Sequence, residues 1–173
     1  MLIIGAGGGV GTFAVQIAKA DGADVSAVCS TAKTEFVRSI GADHVIDYTR
    51  EEFADGRNRY DVILDIAGNR PLSQLRRALT PRGTLVIVGA EDAGKWLGIR
   101  RQLRAAALSP FVRQKLGFFI SKERSPDLEE LRKLLEAGAI RSVVDTTFPL
   151  DEVPKAIGYL RDGHARGKIV ITT

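Results

Sequence analysis

One cysteine, Cys29, and two histidines, His44 and His164, are all that this chain of 173 residues offers a soft or borderline metal. A lone cysteine excludes an internal disulfide, and three such residues scattered along the chain leave no metal site to propose. Cys29 reads instead as a small buried residue at a strand end. Proline is scarce, 6 residues against 18 glycines, and there is no Ser/Pro-rich or like-charge tract. Disorder and a long internal linker are thereby excluded. Charge of one sign is also lacking: 25 basic against 21 acidic residues leave a net +4. That bias suits a phosphate-bearing ligand but not nucleic acid, so Arg100, Arg101, Arg104, Arg113 and Lys115 read as a solvated face. The apolar start has neither the basic flank nor the cleavage site of a signal peptide, and Gly7-Gly8-Gly9 would break a membrane helix. A cytoplasmic protein with no membrane partner is expected.

What is present is a core: 45% of the residues are apolar, enough for one domain with a small appendage. Short apolar runs alternate with helical patterns. Leu2 to Ile4 reads as a strand, and Val10, Phe13, Ala14, Ile17 and Ala18 then recur on one helical face. "DVSAVC" (24–29), "HVIDY" (44–48), "YDVILDI" (60–66), "GTLVIVG" (83–89) and "LGFFI" (116–120) are further strands. Between them lie helices at "KTEFVRSI" (33–40), "PLSQLRRAL" (71–79) and 99–108, the last stopped by Pro110. "SPDLEELRKLLEAG" (125–138) is an amphipathic helix capped by Ser125, opened by Pro126, lined by Leu128, Leu131, Leu134 and Leu135, and ended by Gly138. A helix at 151–163 and a strand "GKIVIT" (167–172) close the chain. Strands this apolar, joined by single helices, are buried on both faces. The expected fold is α/β: a doubly wound, six-stranded parallel sheet of Rossmann type with a short C-terminal extension.

The motif that carries chemistry is "GAGGGVG". It sets Ala6, Gly8 and Gly11 where the dinucleotide fingerprint wants glycines, relaxed at the first. Gly8 admits the pyrophosphate to the backbone, Gly11 lets the first helix sit close to the sheet, and the helix N-terminus favours the anion. A methyltransferase uses a similar loop, but the second strand lacks the acidic end that such a site needs for ribose. The same missing acid bears on the cofactor. "CSTAK" supplies the hydroxyl of Ser30 and the ammonium of Lys33, which can hold a 2'-phosphate, so NADP(H) is favoured over NAD(H). Ile66, Ala67, Gly68, Val88 and Gly89, at the carboxyl ends of later strands, should wall the same crevice. Asp65 reads as a structural hydrogen-bonding group.

No proton donor for hydride transfer stands out. Tyr48, Tyr60 and Tyr159 all lack a lysine four residues on, and His164 reads as a loop residue. No catalytic residue is assigned.

The order "GAGGGVGTFAVQIAKADGADVSAVCSTAKTEFVRSIGADHVIDY", "YDVILDIAGN", "LRRALTPRGTLVIVG" and "HARGKIVI" resembles the medium-chain dehydrogenase/reductase superfamily, in its zinc-independent quinone oxidoreductase-like branch. The resemblance covers nearly the whole chain. It implies an NADPH-dependent oxidoreductase that transfers hydride to a small quinone, enone or carbonyl compound. Residues 1–138 would be the cofactor domain. Residues 139–173 would complete a GroES-like catalytic domain absent from this chain, which is then the cofactor-binding part of a longer protein. It further implies that Ala6, Gly8, Gly9, Val10 and Gly11 form the phosphate turn and that Ser30, Lys33 and Tyr48 contact the 2'-phosphate. Gly68, Val88, Gly89, Phe118 and Phe119 would line the nicotinamide, and Lys168 would approach the cofactor. A homodimer through the edge strand "LGFFI" is expected, since an unpaired apolar edge invites pairing. The alternative is a non-catalytic dinucleotide-binding or sensing module.

Overall fold

A computed structural model describes residues 1–88, 100–118, 122 and 124–173, and of residues 100 and 101 the backbone only. Gly89 and Phe119 lie outside the described residues, as do the side chains of Arg100 and Arg101.

Leu2–Ile4 (β1), Ser26–Cys29 (β2), His44–Asp47 (β3), Tyr60–Asp65 (β4), Leu79–Ile87 (β5) and Lys115–Phe118 (β6) pair in parallel as one sheet, in the order β3-β2-β1-β4-β5-β6. Gly11–Ala20 (α1) follows β1, Thr34–Ser39 (α2) follows β2, Leu72–Ala78 (α3) follows β4, and Arg100–Leu108 (α4) lies between β5 and β6. The period-2 alternation of side chains sorts each strand's residues between two cores. Leu2 and Ile4 join Val28, Ile63, Leu85, Leu75 of α3 and Ala105 of α4 on one face. Ile3 joins Val25, Ala27, Val15 of α1 and Val37 of α2 on the other. The sheet is the doubly wound Rossmann type expected.

The strand β5 begins earlier than the alternation suggests. Its register against β4 jumps between the Tyr60 and Val62 pairings, and Pro81, Arg82 and Gly83 occupy the irregularity. A proline has no N–H for a ladder, so a bulge is where a strand tolerates one. Gly83 leaves little room there: a Cβ would lie 2.8 Å from Leu79 Cδ2 and 3.0 Å from the Tyr60 carbonyl.

Beyond the sheet, Ser125–Glu136 (α5) is the helix expected, but Ser125 is its first helical residue and not its cap. Arg124 holds the N-cap position in an extended conformation, and its guanidinium pairs with Asp127. No residue of α5 is buried, and Leu128, Leu131 and Leu135 are exposed. Val144–Pro149 (β7), Val153–Arg161 (α6) and Lys168–Thr172 (β8) complete the chain, β7 and β8 pairing in parallel as a separate two-stranded sheet. Among the described residues no helix is long and apolar enough to cross a membrane.

Candidate dinucleotide site

In an open parallel sheet the chain leaves β1 to one side and β4 to the other, and their crossovers part to leave a crevice at the strands' carboxyl ends. Here that crevice has a volume of about 380 Å³. It is lined by Ile4 and Gly5 at the end of β1, Val28 to Ser30 at the end of β2, and Ile66 and Ala67 after β4, together with Gly7, Gly8, Lys33, Tyr48, Asn69, Arg70 and Gly163.

The glycines do different work. A Cβ on Gly11 would sit 2.2 Å from the Gly5 carbonyl oxygen and 2.7 Å from the Ala6 backbone, so only glycine lets α1 lie this close to the turn. A Cβ on Gly8 would meet nothing nearer than the Gly5 oxygen at 3.6 Å. Gly8 is therefore open on the side facing the crevice, the space a bound phosphate needs. Val10 is the N-cap of α1 and offers no side-chain cap, and the first turn carries no acidic residue. The positive end of the helix dipole is left for an anion. These features fit a dinucleotide.

Lys33 sits against the turn, where a Cβ on Gly7 would lie 2.7 Å from its Cδ, and donates from Nζ to the carbonyls of Gly163 (2.9 Å) and Ala165 (2.6 Å). Burial pulls its ammonium below the usual lysine range; Asp145 and Cys29 oppose that, and Arg166 adds to it. Tyr48 follows β3 and is half exposed, with the Arg70 guanidinium 5.6 Å from its ring centroid. Asp47 ties these loops together. Its carboxylate accepts from Thr31 Oγ1 at 2.5 Å and from Thr49 N at 3.0 Å and Oγ1 at 2.8 Å, and these bonds, the Thr31 hydroxyl first, hold its pKa below the ordinary value. Cys29 is buried at the end of β2, as expected. Burial, with Asp47 adding, pushes its thiol up to about 11, so it is a neutral wall residue at pH 7.

The structure thus brings Gly8, Ser30, Lys33 and Tyr48 around one crevice. Ala6 and Gly11 are buried, Gly9 is half-buried and Val10 exposed. Gly68 adopts φ +78° and donates its N–H to Asp65 Oδ1 at 3.1 Å, while Val88 donates its N–H to the Asp65 carbonyl at 2.9 Å. Asp65 is fully buried, the structural group expected. Phe118 stands exposed at the end of β6, level with Ile87. Lys168 begins β8 and reaches the turn: a Cβ on Gly9 would lie 3.3 Å from its Nζ. Asn69 and Arg70 were missed from the sequence, although the turn signal Gly68 marks a loop entering the crevice. Gln16 was missed as well. A polar residue one helical turn after Thr12, on a face that is otherwise apolar, is the trace it leaves.

Comparison with known proteins accords with this geometry. The family described as zinc-binding dehydrogenase matches residues 40–171. The mitochondrial NAD(P)H oxidoreductase RTN4IP1 of Mus musculus is 40% identical over 98% of this chain and 47% of its own length. The chloroplast envelope quinone oxidoreductase homolog of Arabidopsis thaliana is 30% identical over 99% of this chain and 51% of its own. Among solved structures, the quinone oxidoreductase from Coxiella burnetii superposes with a TM-score of 0.83, at 27% identity, over 99% of this chain and 52% of its own. The chain spans about half the length of the relatives it matches. The cytoplasmic expectation is corrected by these relatives: the mouse protein and its human, bovine and zebrafish counterparts are mitochondrial. The absence of a signal-peptide pattern in the first residues of this chain was no guide to compartment. Among the described residues no three His, Cys, Asp or Glu side chains gather to hold a metal. With a dinucleotide-binding Rossmann sheet, a glycine turn at its switch point and a family match over most of its length, the chain belongs to the zinc-binding dehydrogenase family of the medium-chain dehydrogenase/reductase superfamily, among its quinone oxidoreductase-like members.

Proposed function

We propose that this chain is the NADP(H)-binding part of a reductase that transfers hydride to a small quinone, enone or other activated carbonyl compound. The observation that carries the reading is the one crevice lined both by the glycine turn at Gly7 and Gly8 and by Ser30, Lys33 and Tyr48. A dinucleotide spanning it sets its pyrophosphate on Gly8 and Gly9 at the α1 N-terminus. Its 2'-phosphate lies against the Ser30 hydroxyl and the Lys33 ammonium, whose partial desolvation gives it more to gain from an anion. The bound nicotinamide supplies the hydride. The chain's own part is to bind and orient, with Gly68, Val88 and Phe118 towards the ring. Residues 139–173 belong with a catalytic portion of a longer protein, and the exposed Leu150, Ile157 and Leu160 supply an apolar face for it.

A second reading, a non-catalytic dinucleotide-binding module, draws on Tyr159. Its phenol donates to Asp145 Oδ2 at 2.8 Å, and none of the three tyrosines has the Tyr-x-x-x-Lys spacing. Calorimetric titration of the chain with NADPH and NADH tests what the two readings share. NADPH is expected to bind at least about tenfold more tightly than NADH, the worth of one charge-assisted contact. Binding of neither would end both readings. Quinone-dependent NADPH oxidation by the chain itself would remove the second.

The chain forms a homodimer through β6, the last strand of the sheet, by continuing the ladder into a second copy. Sedimentation equilibrium should return twice the mass of 18.7 kDa. A monomer at high concentration would reject the interface.

A further inference from the structure

Gln16 is a buried amide in the middle of α1 that none of the cofactor contacts above employs. Its Nε2 donates to the carbonyls of Thr12 (3.0 Å) and Arg141 (3.1 Å), and its Oε1 accepts the Arg141 N–H at 2.9 Å. Both backbone groups of Arg141 close on one side chain, as they would on a neighbouring strand. Removing the amide would leave both to find other partners.

Followed in each direction, this clasp leads to the phosphate turn. Thr12, fully buried, donates its N–H to the Gly8 carbonyl at 3.0 Å and its hydroxyl to the Gly9 carbonyl at 3.5 Å. On the other side, two residues past Arg141, the Val143 carbonyl accepts the Lys168 N–H at 2.8 Å, and the Gly167 N–H donates to the Gly7 carbonyl at 3.3 Å. The contacts form a closed ring from the turn through Thr12, Gln16 and Arg141 to Val143, Lys168 and Gly167, and back to the turn. The ring is tight at its return. Gly167 has φ +92°, and a Cβ there would lie 2.5 Å from the Val143 carbonyl. It ends with the Lys168 ammonium at the rim of Gly9.

We infer that Gln16 is a positioning residue of the dinucleotide site. By registering Arg141 on α1 it fixes the pairing of Val143 with Lys168, and so holds the Lys168 ammonium beside the turn that takes the pyrophosphate. Gln16 itself touches no ligand. The inference rests on the dinucleotide reading of the crevice, and its test keeps the two apart.

The test is a double-mutant cycle on the whole chain, with NADPH and NADH titrated against wild type, Gln16→Met, Lys168→Met and the double variant. Each single change is expected to weaken both dinucleotides by the same factor, about fivefold to tenfold for one ammonium–phosphate contact, because the pyrophosphate is common to them. The double variant should bind no more weakly than Lys168→Met alone. Additive losses would overturn the inference and leave Gln16 a purely structural residue, which lowers stability without coupling to Lys168. Failure of wild type to bind either dinucleotide would overturn the crevice reading itself. Hydrogen exchange on wild type needs no variant to fold: NADPH should slow the Arg141 and Gly167 amides together with that of Thr12. Slowing at Thr12 with Arg141 and Gly167 unchanged would also overturn it.

Discussion

Gly11→Ala is expected to destabilise the chain by about 3 kcal/mol or more, because its methyl group meets backbone atoms, which cannot rotate aside. To make room, α1 must lift from the turn after β1, and the packing of Val15 in the core goes with it. In urea, with a slope of about 1–3 kcal/mol per molar, the midpoint should fall by about 1 M or more. Gly8→Ala is expected to do the reverse. Its methyl group meets only the Gly5 oxygen at 3.6 Å, so the stability should stay within about 0.5 kcal/mol of wild type. NADPH affinity should nonetheless fall at least about tenfold, because the methyl group takes the place of the approaching phosphate. One alanine breaks the fold and the other the site. Normal NADPH binding by Gly8→Ala would mean that the pyrophosphate does not run along this residue.

Lys33→Met is the second change with a large expected effect, on selectivity. Losing a charge-assisted contact to the 2'-phosphate should weaken NADPH by about 10- to 100-fold. Lys33 also ties the Gly163 and Ala165 carbonyls to the crevice, and that tether serves both cofactors equally. The ratio of NADPH to NADH affinity therefore isolates the phosphate contact from the tether. The ratio should collapse towards one. An equal loss for both dinucleotides would assign Lys33 to the tether alone.

The sheet was legible in the sequence because its signals are local. Apolar runs, helix faces and the glycine turn each declare themselves within about ten residues. What was not legible depends on residues that the fold brings together from far apart. Gln16 reads as a helix residue until Arg141 closes on it. Lys33 reads as a phosphate ligand, and only the fold adds its two hydrogen bonds to the turn at Gly163 and Ala165. The early start of β5 was hidden because Pro81 and Gly83 signal a turn, and only the bulge against Tyr60 shows how a strand accommodates them. Arg70 was hidden because its partner, the Tyr48 ring, follows another strand.

The position of β1 has a consequence for how the chain reaches this fold. It is the shortest strand and lies in the middle of the sheet, pairing on one side with Ser26–Val28 and on the other with Ile63–Asp65. The sheet cannot be joined across its centre until a segment some sixty positions away has been recruited. Closing that loop costs entropy before any contact repays it, as in other parallel topologies, where distant pairing slows assembly. Until then Leu2, Ile3 and Ile4 have a neighbour on one side only. Ribosomal synthesis, which delivers β1 ahead of β4, holds this strand half-paired for the longest interval of any interior strand in the sheet.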